Sequence, residues 1–272
     1  MSNILSKLSN LQQRIIVAFI GMAIFMGMLF YGIAGTILFF SMLIFVCLWE
    51  FCSLAPFHYS GLSKIIIGLA GSLAFCVLVF SDLFNLALGS LLFLPLVLVV
   101  SSIFSSDEKP FEKAGWTMFG WVYLVLPWYC MVSMLKELTY DPMLFLGIFG
   151  LLWMADSGAY FAGRTIGKTK LLPAVSPKKT WEGLGGGLLG SMVLAWILSQ
   201  SLTQFTPGQW LVLASSTTLA GTLGDLAESR LKRSLEMKDS GSMLPGHGGF
   251  LDRFDGFFLS APVNYLIVEF LF

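Results

Sequence analysis

Charge is scarce in this 272-residue chain: Asp, Glu, Lys and Arg make up 12% of it, against roughly 25% in soluble domains. Sixteen Lys and Arg balance sixteen Asp and Glu, so no overall field of either sign points to nucleic acid or to an acidic macromolecular partner. Histidine occurs only twice, and the four cysteines, Cys47, Cys52, Cys76 and Cys130, lie in apolar runs without C-x-x-C spacing. That pattern gives neither a zinc site nor a disulfide framework. Lys7 and Arg14 precede a long apolar run that has no convincing small-residue cleavage site, the pattern of a first span that is retained. There is no polar segment long enough for a soluble domain, and no internal repeat or low-complexity tract.

What fills the chain is apolar: 56% hydrophobic residues, 15% aromatic. A membrane-spanning helix needs about 20 such residues, and the runs predict nine spans, at 14–31, 33–51, 64–81, 83–104, 114–135, 142–163, 183–203, 209–229 and 256–272. Only a Gly-rich turn at Gly32 to Gly35 separates the first two, so fusing them into one bent element would change the count. With the N-terminus in the cytoplasm, fifteen of the sixteen Lys and Arg fall on the cytoplasmic side and only Lys136 falls outside, as the positive-inside rule requires. The expected fold is an all-α, polytopic membrane bundle of about nine helices with a cytoplasmic N-terminus. Residues 1–135 would supply five N-terminal spans, and 136–272 a catalytic region with cytoplasmic loops at 164–182 and 230–255.

The polar residues are concentrated in those two loops. Lys238 to Gly256, KDSGSMLPGHGGFLDRFDG, packs two Lys/Arg, three Asp, one His and five Gly into nineteen residues. Just upstream, Asp225 and Glu228 share a helical face, and Asp252 and Asp255 repeat their spacing. Acids in or beside a span are costly and signal function, and an all-oxygen cluster suits a hard cation such as Mg²⁺. For Glu228 the i,i+4 pair with Lys232 is an equally good reading. Lys232, Arg233, Lys238 and Arg253, with Lys178 and Lys179 from the other loop, could be positive-inside residues alone. Acids and bases mixed together instead suit a metal–polyphosphate complex. The glycines around His247, including Gly248 and Gly249, let backbone N–H groups approach an anion, and His247 itself would bind phosphate, move a proton or simply form a turn. The other loop contributes Asp156, Arg164, Ser176 and Thr180. The glycines of GLGGG, 183–187, read as an anion-binding helix start or as close helix packing.

These residues resemble the signature of the phosphatidate cytidylyltransferases, the CDP-diacylglycerol synthases. It appears here as Ser229, Lys232-Arg233, Lys238-Asp239, His247-Gly248-Gly249 and Asp252-Arg253 with Asp255, all spacings kept over 27 residues. SPKKTWEG at Ser176 to Gly183 and DSGAYFAGR at Asp156 to Arg164 are similar to the same family. The resemblance implies CTP and phosphatidic acid as substrates, CDP-diacylglycerol and pyrophosphate as products, and a homodimer in the inner cell membrane with its active site on the cytoplasmic side. On that reading Asp225, Asp252 and Asp255, with Glu228, would ligate Mg²⁺, with a second cation such as K⁺ beside it. Lys232, Arg233, Lys238 and Arg253 would neutralise phosphates, and Asp239 would orient Lys238. Lys178, Lys179, Ser176 and Thr180 would hold CTP or the lipid phosphate.

Three other readings are weaker. A CDP-alcohol phosphotransferase requires Asp-Gly, two residues, then Ala-Arg, and the sequence after Asp255 does not continue so. A transporter would scatter its acids near mid-membrane. A structural scaffold has no need of the ordered Lys/Asp/His/Gly series.

Overall fold

The computed structural model describes residues 10–80, 96–105, 107–241, 243 and 248–272, and in 10–18 the backbone alone. Eight long helices are present among them: α1 (Asn10–Phe30), α2 (Ile33–Leu54), α3 (Gly61–Phe80), α4 (Pro110–Glu137), α5 (Pro142–Thr165), α6 (Trp181–Leu198), α7 (Pro207–Ser234) and α8 (Phe257–Leu271). Residues 96–103 are also helical. Five of these helices, α2 to α6, are long and apolar enough to cross a membrane, and Phe19–Phe30 and α8 are shorter apolar helices. The chain is a helical membrane protein. Most of the expected fourth span, 83–104, lies outside the described residues. The eighth forms as a helix, α7, but Ser215, Ser216, Thr217, Thr218 and Asp225 leave it less apolar than the others.

The chain divides into two compact units, and the loop that returns after α7 leaves the second unit for the first. The first holds residues 1–129 and 239–253, and the second 130–238 and 254–272. Residues 239–253 of that loop thus belong with the N-terminal helices.

In the first unit α1 and α2 are separate helices, broken at Tyr31-Gly32, where Gly32 takes a φ of +106° that other residues rarely adopt. α3 closes on α2 through Gly68 and Gly71, whose missing side chains admit Phe45 and Leu48. The core is aromatic: Phe40 lies 4.4 Å from Trp128, and Phe51 stacks on Trp116 at 4.8 Å. The Trp116 indole donates to the Phe51 carbonyl at 3.2 Å.

In the second unit α5 and α6 pack backbone to backbone. A Cβ at Gly158 would sit 2.5 Å from the Gly186 carbonyl oxygen, and one at Gly187 would sit 2.7 Å from that of Ala155. Gly183, Gly186 and Gly187 therefore serve close helix packing, while Gly185 faces open space. Hydroxyls join α6 to α7, with Ser191 and Thr218 2.7 Å apart. The buried Asn264 of α8 accepts from Ser216 at 2.7 Å and donates to Thr217 at 2.8 Å. One element departs from the all-α expectation: the 164–182 loop contains an antiparallel hairpin of β1 (Lys170–Leu172) and β2 (Ser176–Thr180). Two contacts close it onto the start of α6. Trp181 N–H donates to the Thr169 carbonyl at 3.0 Å, and the Glu182 carboxylate accepts the N–H groups of Lys168 and Thr169 at 3.0–3.1 Å.

Candidate active site

Between α5, β2, α6 and α7 the second unit encloses a cavity of about 490 Å³. α5 lines it with Asp156, Ala159, Tyr160 and Gly163, spaced as one helical face, followed by Arg164. β2 contributes Lys178, Lys179 and Thr180, and α7 contributes Thr218, Thr222 and Asp225, again one face. Thr180 is buried because it caps α6: its hydroxyl accepts the Gly183 N–H at 3.1 Å. That cap fixes the register of β2 and so delivers the two lysines just before it to the cavity. Arg164 is held from its own helix, donating to the Tyr160 hydroxyl at 2.7 Å.

The charges in this unit are not evenly compensated. Lys179 Nζ lies 2.5 Å from an Asp225 oxygen, and Ser229 donates to the other oxygen at 3.2 Å. Asp255, in the turn before α8, accepts its neighbour's Gly256 N–H at 2.7 Å. Burial pushes the Asp255 carboxyl up to about 6, and the Asp225 carboxylate adds to the rise. Close approach of the two elements requires Gly224, where a Cβ would meet the Asp255 carbonyl oxygen at 2.6 Å. Glu228 turns instead to Lys232, 3.1 Å away, and the pair is buried on α7.

In the first unit the signature loop is folded on Asp252. One of its oxygens accepts the backbone N–H groups of Ser240 (2.9 Å) and Gly249 (3.0 Å). Gly248 has a φ of +79°, a conformation that favours glycine. Residues Leu251–Arg253 form a 3₁₀ turn with Leu251 buried.

The family model described as the cytidylyltransferase family matches residues 12–271, almost the whole chain. The chain belongs to the cytidylyltransferase family. It is 34% identical over 267 residues to a phosphatidate cytidylyltransferase of Staphylococcus haemolyticus, covering 94% of this chain and 98% of that one. It is 32% identical over 265 residues to that of Staphylococcus saprophyticus, again covering 94% and 98%. A shorter alignment to the enzyme of Haemophilus influenzae reaches 44% over 137 residues, 47% of this chain and 48% of that one.

The cavity of this family member gathers Asp156, Arg164, Lys178, Lys179, Thr180 and Asp225 from three separated stretches of sequence. Ser176 begins β2 and does not line it. Asp225 and Asp255 are neighbours in the second unit, Glu228 is paired with Lys232, and Asp252 belongs to the first unit and binds loop N–H groups. Among the described residues no group of three or more His, Cys, Asp or Glu is disposed to hold a metal ion. Arg233 donates to the Met237 carbonyl at 3.1 Å, and Lys238, Asp239 and Arg253 are exposed. His247 lies outside the described residues. Tyr160, Thr218 and Thr222 line the cavity without having been singled out from the sequence. Their signal was the helical spacing to Asp156 and Asp225.

Proposed function

We propose that this protein transfers the cytidylyl group of CTP to phosphatidic acid, giving CDP-diacylglycerol and pyrophosphate for phospholipid synthesis. The observation that carries this reading is the cavity, in which two carboxylates and three cations converge beside a hydroxyl on a helical membrane protein of this family. An oxygen of the lipid phosphate forms a bond to the α-phosphorus of CTP. The bond from that phosphorus to the bridging oxygen breaks, and the pyrophosphate leaves with the electron pair. No side-chain nucleophile is needed, so the protein contributes position and charge. Lys178, Lys179 and Arg164 bind phosphate oxygens in the cavity. Lys232, Arg233, Lys238 and Arg253 carry the same role from the signature, and Asp239 orients Lys238.

The donor chemistry fits a divalent cation of the Mg²⁺ type. Asp225 and Asp255 are neighbouring all-oxygen ligands, and the Asp225 charge raises the proton affinity of Asp255. Mg²⁺ commonly takes only one or two carboxylates and completes its shell with water and substrate phosphates, a pair that Asp225 and Asp255 would supply. When bound it would neutralise charge on the triphosphate; that a second cation such as K⁺ accompanies it is part of the same proposal, on the family resemblance. We extend the proposal to nine spans with a cytoplasmic N-terminus, to an active site on the cytoplasmic face of the inner membrane and, on the family resemblance, to a homodimer.

The test is conversion of labelled CTP to lipid-bound label by purified protein in detergent with phosphatidic acid, with and without Mg²⁺. Labelling should require Mg²⁺ and be lost in Asp255→Ala. Folded wild-type protein that gives no labelling in a lipid-replete assay would reject the reaction.

A further inference from the structure

Glu50 is an acid that the mechanism does not use. It stands in α2, in an otherwise apolar run, and is 2% exposed. A carboxylate so placed is costly unless donors surround it. Its donor comes from 201 positions away: the Leu251 N–H reaches Glu50 Oε2 at 3.0 Å. The Phe250 N–H and the Ser240 hydroxyl also face the carboxylate, the hydroxyl falling short of a well-aligned hydrogen bond.

The glycines of the signature loop gain a second explanation here. A Cβ on Gly241 or on Gly249 would collide with Glu50 Oε1, and one on Gly249 would also strike the Ser240 hydroxyl. The loop backbone thus wraps the carboxylate from both of its described arms, 239–241 and 248–253. Asp252 ties the same two arms together from within, through Ser240 and Gly249. One carboxylate closes the loop on itself; the other fastens the closed loop to α2.

We infer that Glu50 is a positioning residue that anchors the signature loop through the Leu251 backbone and so fixes the stretch carrying Asp252, Arg253 and, two residues on, Asp255. Its effect on turnover rests on the function proposed above. Its effect on the loop does not.

The test uses full-length protein in detergent and reads hydrogen exchange of peptides from 248–253 and from α5, together with CTP-dependent labelling. Glu50→Ala leaves the Leu251 N–H buried without an acceptor, so exchange at 248–253 should rise at least about tenfold while α5 is unchanged. A loop displaced by an ångström should lower kcat/KM by about a hundredfold. Glu50→Gln keeps an acceptor for Leu251 and presents its amide to Ser240, so it should restore both readouts to within about fivefold of wild type. Gly241→Ala, which drives a methyl into Oε1 while leaving Glu50 in place, should reproduce the loop release even where Glu50→Ala does not fold. The inference is overturned by unchanged loop exchange in Gly241→Ala or in folded Glu50→Ala. It is equally overturned by a rise spread evenly over all helices, or by Glu50→Gln as inactive as Ala, which would assign the charge a direct role. A wild-type chain that does not use CTP would reject the proposed function and leave the exchange result to decide the anchor.

Discussion

Replacing Asp255 by Asn should stabilise the cation-free protein even as it removes activity. The Asp255 carboxyl is pushed from 3.8 to about 6 chiefly by burial, then by the Asp225 carboxylate, against opposing contributions from the Gly256 N–H and Lys232. A rise of about two units corresponds to about 3 kcal/mol. The side chain is only partly buried, so water screens part of this and the expected range is about 1 to 3 kcal/mol. The folded state holds the proton more tightly than the unfolded chain. Below about pH 3 both states are protonated and the penalty vanishes. Stability then falls as the pH rises, and the full penalty is present above about pH 6.5. Asn has no proton to lose. In excess chelator, thermal unfolding followed by tryptophan fluorescence should therefore show Asp255→Asn several degrees above wild type at pH 8 and about half that gain at pH 5. Added Mg²⁺ should raise the wild type and leave the variant unmoved, because binding to the folded state alone stabilises it. A gain independent of pH, or a variant less stable than wild type at pH 8, would refute the reasoning.

Two further changes probe the same charges. Lys179→Met removes the cation 2.5 Å from Asp225 in a pair whose side chains are 25% and 30% exposed, and CTP turnover should fall about ten- to a hundredfold. Asp255→Asn should recover more stability in the Lys179→Met background than in wild type, and strictly additive effects would show that the residues share no field. Gly224→Ala puts a methyl 2.6 Å from the Asp255 carbonyl oxygen. A backbone oxygen cannot swing aside, so the variant should lose about 1 to 3 kcal/mol and most of its activity, measured by unfolding and labelling.

The helices were legible because an apolar run long enough to span a membrane has few other structures open to it. α7 shows the limit of that reading: the run at 209–229 predicts its helix, but the polar residues that join it to α6 and α8 also reduce its apolarity. The β1–β2 hairpin was not legible. Its strands are three and five residues long, Pro173 and Pro177 make the segment read as irregular, and its closure depends on Glu182 accepting from residues 13 and 14 positions away. Within the site, the Glu228–Lys232 pair could be read from i,i+4 spacing. The cavity could not, because its lining comes from three separate stretches. Glu50 was invisible for the same reason: in sequence it is a lone acid in an apolar run, and only the fold brings Leu251 to it.

Equal spacing also proved to have unequal meaning. Asp225-x-x-Glu228 and Asp252-x-x-Asp255 share one interval and read alike, as two acids on one face. The first lies on a helix, where Glu228 has a cation one turn ahead of it and Asp225 does not. The second runs through a 3₁₀ turn, where Asp252 points back to Ser240 and Gly249 while Asp255 is carried past the turn to the end of α8. Asp225 and Asp255, each also accepting one local hydrogen bond, from Ser229 and from Gly256, are neighbours. Lys179 pairs with Asp225, and Lys232 lowers the Asp255 carboxyl, yet that carboxyl still stands at about 6 with Asp225 among the causes. Two like charges held close by Gly224 form an arrangement that a divalent ion would stabilise. The 27-residue signature therefore combines two tasks: fixing a loop backbone and keeping one carboxylate under-compensated.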